Sequence, residues 1–411
     1  MASSESLSLA GGLPAGAQRG TRQYTLISRA LFFGGFSTFA QLYCMQALLP
    51  LLTTTFDITP ARASWAVSAS TLTMAIGLLV TCVMADRVSR KRLMSIALLS
   101  SSVLTLASAF STNFALLIVL GALKGFALSG LPAIAMAYLS EEIDNRSLGL
   151  SMGLYIGGNI LGGMAGRVLG AFVADMFSWR IAVASIGLMC LVMGLEFTRS
   201  LPVSRRFTPR RISFGEAIGH ARRHLRDRAL LGLYLFAGLM MGSFVSIYNY
   251  LGFHLSAAPF QLPHAAIGAI FTMYLIGVAG SFIAGPLSDR VGRSRLLWLL
   301  VALSLAGLLM MLAGQVLWVV AGLALFTFGF FGGHTVASSW VGRRAQEGRA
   351  IASALYLFFY YLGSSVLGSY SGVVLHAHGW HGVIGLLTVA LVISLAVALA
   401  MRRTFGRTMP A

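Results

Sequence analysis

Apolar residues occur in long runs along most of the chain, and short polar loops separate these runs. Each run has about 20 residues, which is the length that an α-helix needs to cross the ~30 Å hydrocarbon layer of a bilayer. Six runs precede a polar stretch at residues 199–228 and six follow it, at residues 29–54, 62–84, 93–111, 114–140, 148–174, 180–198, 229–254, 264–288, 296–314, 317–341, 350–374 and 380–401. The pattern predicts an all-α membrane protein with twelve transmembrane helices in two bundles of six.

Two basic loops indicate that the second bundle repeats the first. Residues 86–92 read Asp-Arg-Val-Ser-Arg-Lys-Arg, and residues 289–295 read Asp-Arg-Val-Gly-Arg-Ser-Arg, 203 positions later. Away from these loops, three small residues of the fifth run recur 202 positions later in the eleventh, as Gly162 and Ser364, Gly166 and Gly368, and Gly170 and Gly372. We therefore expect two pseudo-symmetric bundles.

The same boundaries divide the chain into five segments. Residues 1–28 are rich in Ser, Gly and Ala and lack an apolar core before Leu26, so we expect a disordered tail and no cleaved signal peptide. The bundles occupy residues 29–198 and 229–401, joined by a basic linker at 199–228 and followed by a short tail at 402–411.

Composition supports a membrane protein over a soluble one. The chain is 57 % hydrophobic and 10 % charged, with a mean hydropathy of +0.81, whereas soluble domains carry about 25 % charged residues. The net charge of +18 does not indicate nucleic acid, because the basic residues are spread between apolar runs. All three cysteines fall inside apolar runs, so no disulfide framework is expected.

The distribution of Lys and Arg predicts the orientation of the helices, because short basic loops stay on the cytoplasmic side. With a cytoplasmic N-terminus, 26 of the 30 Lys and Arg residues fall on the cytoplasmic side, and only Arg62 and Arg180 fall outside. Both termini are therefore expected in the cytoplasm.

Within the linker, nine arginines and a candidate amphipathic helix from Ser213 favour a segment lying on anionic headgroups, with recruitment of another protein as the alternative.

Glycines in the fifth run form two rows at four-residue spacing. One row contains Gly158, Gly162, Gly166 and Gly170, and the other contains Gly149, Gly153 and Gly157. Small residues let two membrane helices approach closely, since dispersion replaces the missing hydrophobic drive in lipid. We expect close helix packing along these rows.

Three Lys, Arg or His residues lie away from the ends of the apolar runs, and each is a functional candidate because a charge in the membrane is costly. Lys124 lies near the middle of the fourth helix, and we predict that it faces the substrate or a coupling ion, with a buried structural pair as the alternative. Arg167 lies closer to the outer surface, so snorkelling is an equal alternative to function. His334 is a proton-relay candidate, and the alternative is a buried neutral histidine bonded to a backbone carbonyl.

Neutral polar and aromatic residues in the same runs complete the lining predicted for a central cavity. They are Gln41, Tyr43, Gln46, Asn159, Tyr248, Asn249, Tyr356 and Tyr360. None of the twelve carboxylates falls near the middle of the membrane on this topology. A cavity with Lys124 and Arg167 and without an acid is predicted to favour anionic or neutral amphipathic solutes.

The loop that reads Gly285-Pro-Leu-Ser-Asp289-Arg-Val-Gly292-Arg293 resembles the signature loop between the second and third helices of the major facilitator superfamily. The glycine-rich fifth helix resembles the superfamily's antiporter motif in part, because it lacks the proline. In the fourth helix the family pattern places an arginine where this chain has Gly121, and Lys124 lies one turn on as a displaced substitute.

This resemblance implies alternating access, in which two bundles rock about a central site. It also implies a cytoplasmic gate built from the acids and arginines of the two basic loops, Asp86, Arg90, Asp289 and Arg293. Asp86 is expected beside Arg349 at the start of helix eleven, and Asp289 beside Ser147 at the start of helix five. An acid at a helix N-terminus gains roughly 0.3 to 1 kcal/mol from the helix dipole.

The resemblance further implies a monomeric transporter in a bacterial inner membrane, without a cofactor except a coupling ion, expected to be H⁺. Proton-coupled efflux of a drug-like, sugar-like or organic-anion-like solute is the preferred function. Uptake symport and a non-transporting membrane role remain as alternatives. No catalytic constellation, metal-ligand spacing such as His-Glu-x-x-His or phosphate-binding glycine loop occurs in the sequence, so an enzyme is not expected.

Overall fold

The computed structural model describes residues 16–84, 88–204 and 214–405. These residues form helices joined by short turns, and the described part of the chain contains no β-strand beyond an isolated bridge between Ala17 and Ile143. The prediction of an all-α fold is confirmed.

The first half contains nine helices in chain order. They are α1 (Arg22–Tyr43), α2 (Leu49–Phe56), α3 (Pro60–Ala63), α4 (Trp65–Met84), α5 (Arg90–Ala109), α6 (Phe114–Leu128), α7 (Pro132–Glu142), α8 (Asn145–Met176) and α9 (Trp179–Ser200), and a 3₁₀ turn at Cys44–Leu48 joins α1 to α2. Several begin at a side chain that caps the first free N–H groups. For example, Asn113 Oδ1 accepts a hydrogen bond from the N–H of Leu116 at 2.9 Å.

The second half contains seven further helices. They are α10 (Phe214–Arg226), α11 (Arg228–Ser256), α12 (His264–Ile270), α13 (Tyr274–Val291), α14 (Arg293–Met310), α15 (Val316–Arg344) and α16 (Arg349–Phe405), and a 3₁₀ turn at Phe271–Met273 joins α12 to α13. The long α16 has non-helical backbone at Gly379, with φ of 63° and ψ of −161°. Its 57 residues therefore comprise two helical segments that meet at this glycine.

Nine helices in the described residues are long and apolar enough to cross a membrane, so the structure does not reproduce twelve uninterrupted spans. Three local features account for the difference. The first predicted run is divided by the 3₁₀ turn after α1, the fourth is divided into α6 and α7 before Pro132, and the last two runs are joined within α16. A proline has no N–H and clashes with the preceding turn, so a helix ends before Pro132.

The first glycine row of α8 packs directly on α1. A Cβ atom at Gly158, Gly162 or Gly166 would lie only 2.1–2.4 Å from a backbone carbonyl oxygen of α1. In the second half α11 and α16 meet in a similar way at Gly238 and Gly363, where a Cβ at Gly363 would lie 2.0 Å from the Gly238 oxygen. The prediction of close packing is confirmed for this row.

The second glycine row behaves differently. Cβ atoms built at Gly149, Gly153 and Gly157 would meet no atom of the described residues within 4 Å. The expectation of close helix packing is therefore wrong for this row in the conformation described. These glycines lie in the half of α8 that is nearer to the basic loops.

The two bundles contact each other at the helix ends remote from the basic loops. All the hydrogen bonds found between described residues of the two halves lie there, including those of Thr71 with Ser365 (2.8 Å) and Ser68 with Ser369 (2.9 Å). Ala171 of α8 packs closely on α12. A Cβ atom built at Gly268 of α12 would lie 2.5 Å from the Cβ atom of Ala171. The structure is therefore closed at one end of the bundles.

The linker forms the amphipathic helix α10, which packs on the turn between α15 and α16. Arg223 forms an ion pair with Glu347, and His224 Nε2 lies 3.3 Å from the carbonyl oxygen of Gly348. A second ion pair joins Arg344 to Asp227, with 3.0 Å between Nε and Oδ2. The helix thus contacts its own bundle, an arrangement that the linker's composition did not reveal.

Candidate substrate site

The most deeply buried basic residue between the two halves is Arg167 of α8, which is 1 % exposed. Its Nε donates a hydrogen bond to Gln46 Oε1 at 2.6 Å, and its Nη1 donates one to the carbonyl oxygen of Gly163. The snorkelling alternative is therefore wrong, because the guanidinium is fixed inside the protein. Counting residues along α8 gave its depth but not the direction in which it points.

Aromatic rings from both halves surround the Arg167 guanidinium. Its Cζ atom lies 4.3 Å from the ring centre of Tyr43, 4.6 Å from that of Tyr274 and 5.6 Å from that of Phe271. The electron-rich face of a ring attracts a cation, and the effect is stronger where water is excluded. Tyr43 was among the predicted lining residues, but Phe271 and Tyr274 were not.

Breaks in two helices bring these rings to Arg167. Tyr43 ends α1 where the backbone becomes a 3₁₀ turn, Phe271 is the first residue of the 3₁₀ turn between α12 and α13, and Tyr274 begins α13. Interrupted helices are common at transporter sites because they place side chains and free backbone groups in the cavity. An apolar run that contains a break in its helix looks continuous in the sequence. The positions of these aromatic residues at the site were therefore found only from the 3₁₀ turns in the structure.

Gln46 connects Arg167 to the second half. Its Nε2 donates a hydrogen bond to Asn249 Oδ1 at 2.7 Å, and its Oε1 accepts the one from Arg167. Asn249 Nδ2 is buried and has no hydrogen-bond partner among the described residues. A buried donor without a partner costs ~1–3 kcal/mol, so this amide is available to an acceptor group of a ligand.

A small cavity of about 20 Å³ lies beside Gln46 and Asn249, and Tyr248, Ile267 and Phe271 also line it. A cavity of this size holds about one water molecule. It is too small to admit an organic solute from the closed end.

Lys124 lies inside the first bundle. It is 1 % exposed, and its Nζ donates a hydrogen bond to the carbonyl oxygen of Gln41 at 3.0 Å. That carbonyl is in the last turn of α1, where the 3₁₀ turn removes the usual helical donors. Among the described residues no carboxylate lies within 4 Å of Lys124, and its buried bond to the Gln41 carbonyl is compatible with the alternative of a buried structural pair.

The side chain of Gln41 also belongs to the interior of the first bundle. Its Nε2 donates to Ser102 Oγ at 3.2 Å, and its Oε1 accepts from Thr105 Oγ1 at 3.0 Å. Asn159, also predicted to line the cavity, packs its Oδ1 against α1, where a Cβ at Gly35 would lie 2.1 Å away. Neither amide is close to the groups that surround Arg167 in the described contacts.

His334, Tyr356 and Tyr360 form one cluster in the second bundle. His334 Nδ1 lies 3.0 Å from the hydroxyl oxygen of Tyr356, and its ring centre lies 4.8 Å from that of Tyr360. The histidine is partly exposed. Its partner is a side-chain hydroxyl, so the alternative of a bond to a backbone carbonyl is wrong, and the imidazole can exchange a proton with a hydroxyl group.

The predicted cytoplasmic gate is described only in part. Asp86 lies outside the described residues, and Arg90 forms a two-bond ion pair with Glu141 of its own bundle at 2.6 and 2.7 Å. Asp289 was predicted to lie beside Ser147. It instead pairs with Arg293 and with Arg343, the latter at 3.4 Å.

Ser147 has a different neighbour, since its Oγ accepts a hydrogen bond from the N–H of Arg19 at 3.1 Å. The expected position of Asp289 beside Ser147 is therefore not found in this conformation. The physical reason is that two arginines of its own half, Arg293 and Arg343, already neutralise the Asp289 carboxylate.

These contacts define a site that favours negative charge. The described residues contain no carboxylate within 4 Å of Arg167 and no group of three or more His, Cys, Asp or Glu residues placed to hold a metal ion. A buried guanidinium is strongly favoured by a bound anion, and its planar N–H groups match a carboxylate or phosphate. The geometry thus suits reversible binding of an anionic solute.

Comparison with known proteins agrees with this architecture. The family description "Major Facilitator Superfamily" matches residues 31–263 and 230–408. Among similar proteins, the MFS-type transporter YybF of Bacillus subtilis is 43 % identical over 378 residues, which cover 92 % of this chain and 94 % of that protein. The inner membrane transport protein YnfM of Escherichia coli K12 is 43 % identical over 386 residues, which cover 94 % of this chain and 93 % of YnfM.

Solved structures show the same fold at low sequence identity. A bacterial homologue of the human lysosomal transporter Spinster, in an inward-facing and unoccupied conformation, has a TM-score of 0.78 at 15 % identity and covers 96 % of this chain and 100 % of that chain. The nucleoside transporter NupG has a TM-score of 0.74 at 14 % identity, with 92 % and 100 % coverage. With the family match and the relatives above, the chain belongs to the Major Facilitator Superfamily.

Proposed function

We propose that this chain is a secondary active transporter that moves a small organic solute with an anionic group by alternating access, and that it works as a proton-coupled exporter in a bacterial inner membrane. The observation that carries the proposal is Arg167. A fully buried guanidinium, without a carboxylate partner in the described part of the chain, lies among residues contributed by both bundles.

The surroundings of Arg167 favour an amphipathic anion over a fully polar one. Tyr43, Phe271 and Tyr274 offer apolar ring surface, while Arg167 and the free amide of Asn249 offer hydrogen-bond donors. Ligand sites commonly combine a mostly apolar wall with a few placed polar groups. A carboxylate or phosphate attached to an apolar body matches this lining.

The conformation follows from the orientation of the basic loops. We propose that these loops lie on the cytoplasmic side, as their Lys and Arg content favours. The end closed by the Thr71–Ser365 and Ser68–Ser369 bonds then faces away from the cytoplasm, and the structure is inward-facing. A solute would enter from the cytoplasm, as an exporter requires.

Proton coupling in this proposal runs through His334 and Tyr356. An imidazole can take up and release a proton, and His334 Nδ1 lies 3.0 Å from the hydroxyl oxygen of Tyr356, so the two groups share one hydrogen-bonded proton. Lys124 remains the second coupling candidate from the sequence. Its bond to a main-chain carbonyl supports a structural role in addition to, or in place of, coupling.

A transport assay in proteoliposomes tests the proposal. Purified protein is screened against pairs of carboxylates and their methyl esters, with and without an imposed proton gradient of either sign, and the screen is repeated with Lys124→Ala and His334→Gln. We expect carboxylates to be transported better than their esters and the proton gradient to drive export. Better transport of lipophilic dications would contradict the anionic site, and proton-driven uptake would favour a symporter.

A further inference from the structure

A groove on the membrane-facing side of the closed end is unconnected with the residues around Arg167. It encloses about 550 Å³ between α4 of the first bundle and α16 of the second. Its walls include the apolar side chains of Trp65, Leu72, Val366 and Val373. The volume falls within the ~300–1,000 Å³ typical of ligand sites.

The floor of the groove is polar, but its groups bond to one another. Ser369 Oγ donates to Ser68 Oγ at 2.9 Å, and the hydroxyls of Ser365 and Thr71 lie 2.8 Å apart. Ser365 also bonds to the backbone oxygen of Ser68. Since unsatisfied polar groups are costly in hydrocarbon, this pairing lets an acyl chain lie on the floor at little cost.

The mouth of the groove at the closed end, which is the outer end in the orientation given under the proposed function, carries the groups that suit a lipid headgroup. Trp65 and Tyr370 are both exposed there, and such rings are enriched at the level of the headgroups. Arg62 of α3 lines the same mouth. The described residues place no carboxylate within 4 Å of its guanidinium, so its charge is available to a phosphate.

We propose that this groove is a binding site for one phospholipid of the outer leaflet, with an acyl chain between Leu72 and Val366 and its phosphate at Arg62. Leu72 lies seven residues after Trp65 in α4, so an acyl chain that enters the groove at Trp65 extends ~10 Å along the helix to reach Leu72. The two walls belong to different bundles, so the groove exists only in the conformation in which the bundles meet at this end. Bound lipid therefore stabilises this conformation.

Photolabelling of the full chain in phosphatidylcholine nanodiscs tests the acyl-chain site. The probe is a phosphatidylcholine with a photoactivatable group on its acyl chain, and labelled peptides are identified by mass spectrometry. Labelling is expected to concentrate on the walls of the groove and to fall to the level of α5 in Val366→Trp, which fills it. Val103→Trp, at a comparably exposed position of α5, is the control and leaves the labelling unchanged.

The second arm tests the phosphate. Native mass spectrometry counts the phospholipids that remain on the purified protein. Arg62→Gln is expected to weaken retention about tenfold, the effect of one charge-assisted hydrogen bond, and Arg62→Lys to restore most of it. Val373→Trp repeats the groove test at another position should Val366→Trp fold poorly.

Two results would overturn the proposal. Labelling spread evenly over all lipid-facing helices would show ordinary bulk lipid without a site. Normal lipid retention by Arg62→Gln would remove the phosphate from the site and leave only an apolar groove. Neither result depends on which solute the central site transports.

Discussion

Arg167 Nε donates a hydrogen bond of 2.6 Å to Gln46 Oε1. Gln46 Nε2 in turn donates a hydrogen bond to Asn249 Oδ1 of the other bundle. The cation of the candidate site is thus part of the contact that closes one end of the transporter. An anion that binds Arg167 competes with Gln46 for the guanidinium. In the proposed transport cycle, Gln46 would therefore link solute binding at Arg167 to opening of the closed end.

A cross-link across the closed end should stop transport. In the double variant Thr71→Cys with Ser365→Cys, the two sulfur atoms replace hydroxyls that are 2.8 Å apart. We expect rapid oxidation to a disulfide, loss of most transport activity and recovery after reduction, because the bundles cannot separate while linked. Transport in proteoliposomes before and after reductant measures the effect.

The matched control lies within one bundle. The hydroxyls of Thr81 and Ser129 are 3.2 Å apart, and both belong to the first half. Thr81→Cys with Ser129→Cys should oxidise without loss of transport. Full activity of the oxidised Thr71 and Ser365 variant would show that the closed end need not open.

Glycine 162 should be far less tolerant of substitution than Gly153. A Cβ at Gly162 would lie 2.1 Å from the Phe36 oxygen, whereas one at Gly153 meets nothing within 4 Å. We expect Gly162→Ala to destabilise the protein by ~1–3 kcal/mol through overpacking of α1 on α8. Thermal unfolding in detergent compares the two.

Gly153→Ala serves as the control in that experiment. Alanine is the better helix former by roughly 0.5–1 kcal/mol, so this variant should unfold at the same or a slightly higher temperature. Equal unfolding temperatures for the two variants would contradict the packing of α8 on α1.

The contact of α10 should weaken at low pH. Burial lowers the pKa of His224 below its usual 6.5, and His220 and Arg223 add repulsion, while the Gly348 carbonyl and Asp227 oppose the change. A group with a lowered folded-state pKa contributes stability that is complete above pH 6.5 and is lost as the pH falls towards the folded-state value. Glu347 and Arg344 are the charged groups on the facing turn.

Hydrogen exchange at residues 345–351 reports this contact. Protection, corrected for the intrinsic pH dependence of exchange, should fall by up to about tenfold per pH unit below pH 6.5, since one proton is taken up on release. The variant His224→Gln should show no such dependence. Equal pH profiles for the two proteins would assign the effect to other groups.

The sequence predicted the fold well because hydrophobic runs, basic loops and glycine spacing are periodic signals. It predicted the site less well, for reasons that differ between residues. Arg167 was placed near the outer surface because counting along a helix gives depth without direction. The bond between Lys124 and the Gln41 carbonyl could not be predicted, because its acceptor is a backbone group that side-chain patterns do not show.

The aromatic residues were missed for a third reason. Phe271 and Tyr274 sit at a 3₁₀ turn inside an apolar run, and nothing in the run's composition marks that turn. By contrast, Gln46 and Asn249 were predicted because a polar residue in an apolar run is conspicuous. The hydrogen bond that joins them across the two bundles could be found only from the structure.

The measurement that tests the central claim most directly is transport of one carboxylate and its methyl ester by the native protein, Arg167→Lys and Arg167→Gln. Loss of a charged hydrogen bond costs ~1.5–3 kcal/mol, so Arg167→Gln should lower carboxylate transport by about 10- to 100-fold. The ester should be affected much less, and Arg167→Lys should retain part of the preference. Equal losses for carboxylate and ester in Arg167→Gln, with the protein still folded, would contradict an anion site at Arg167.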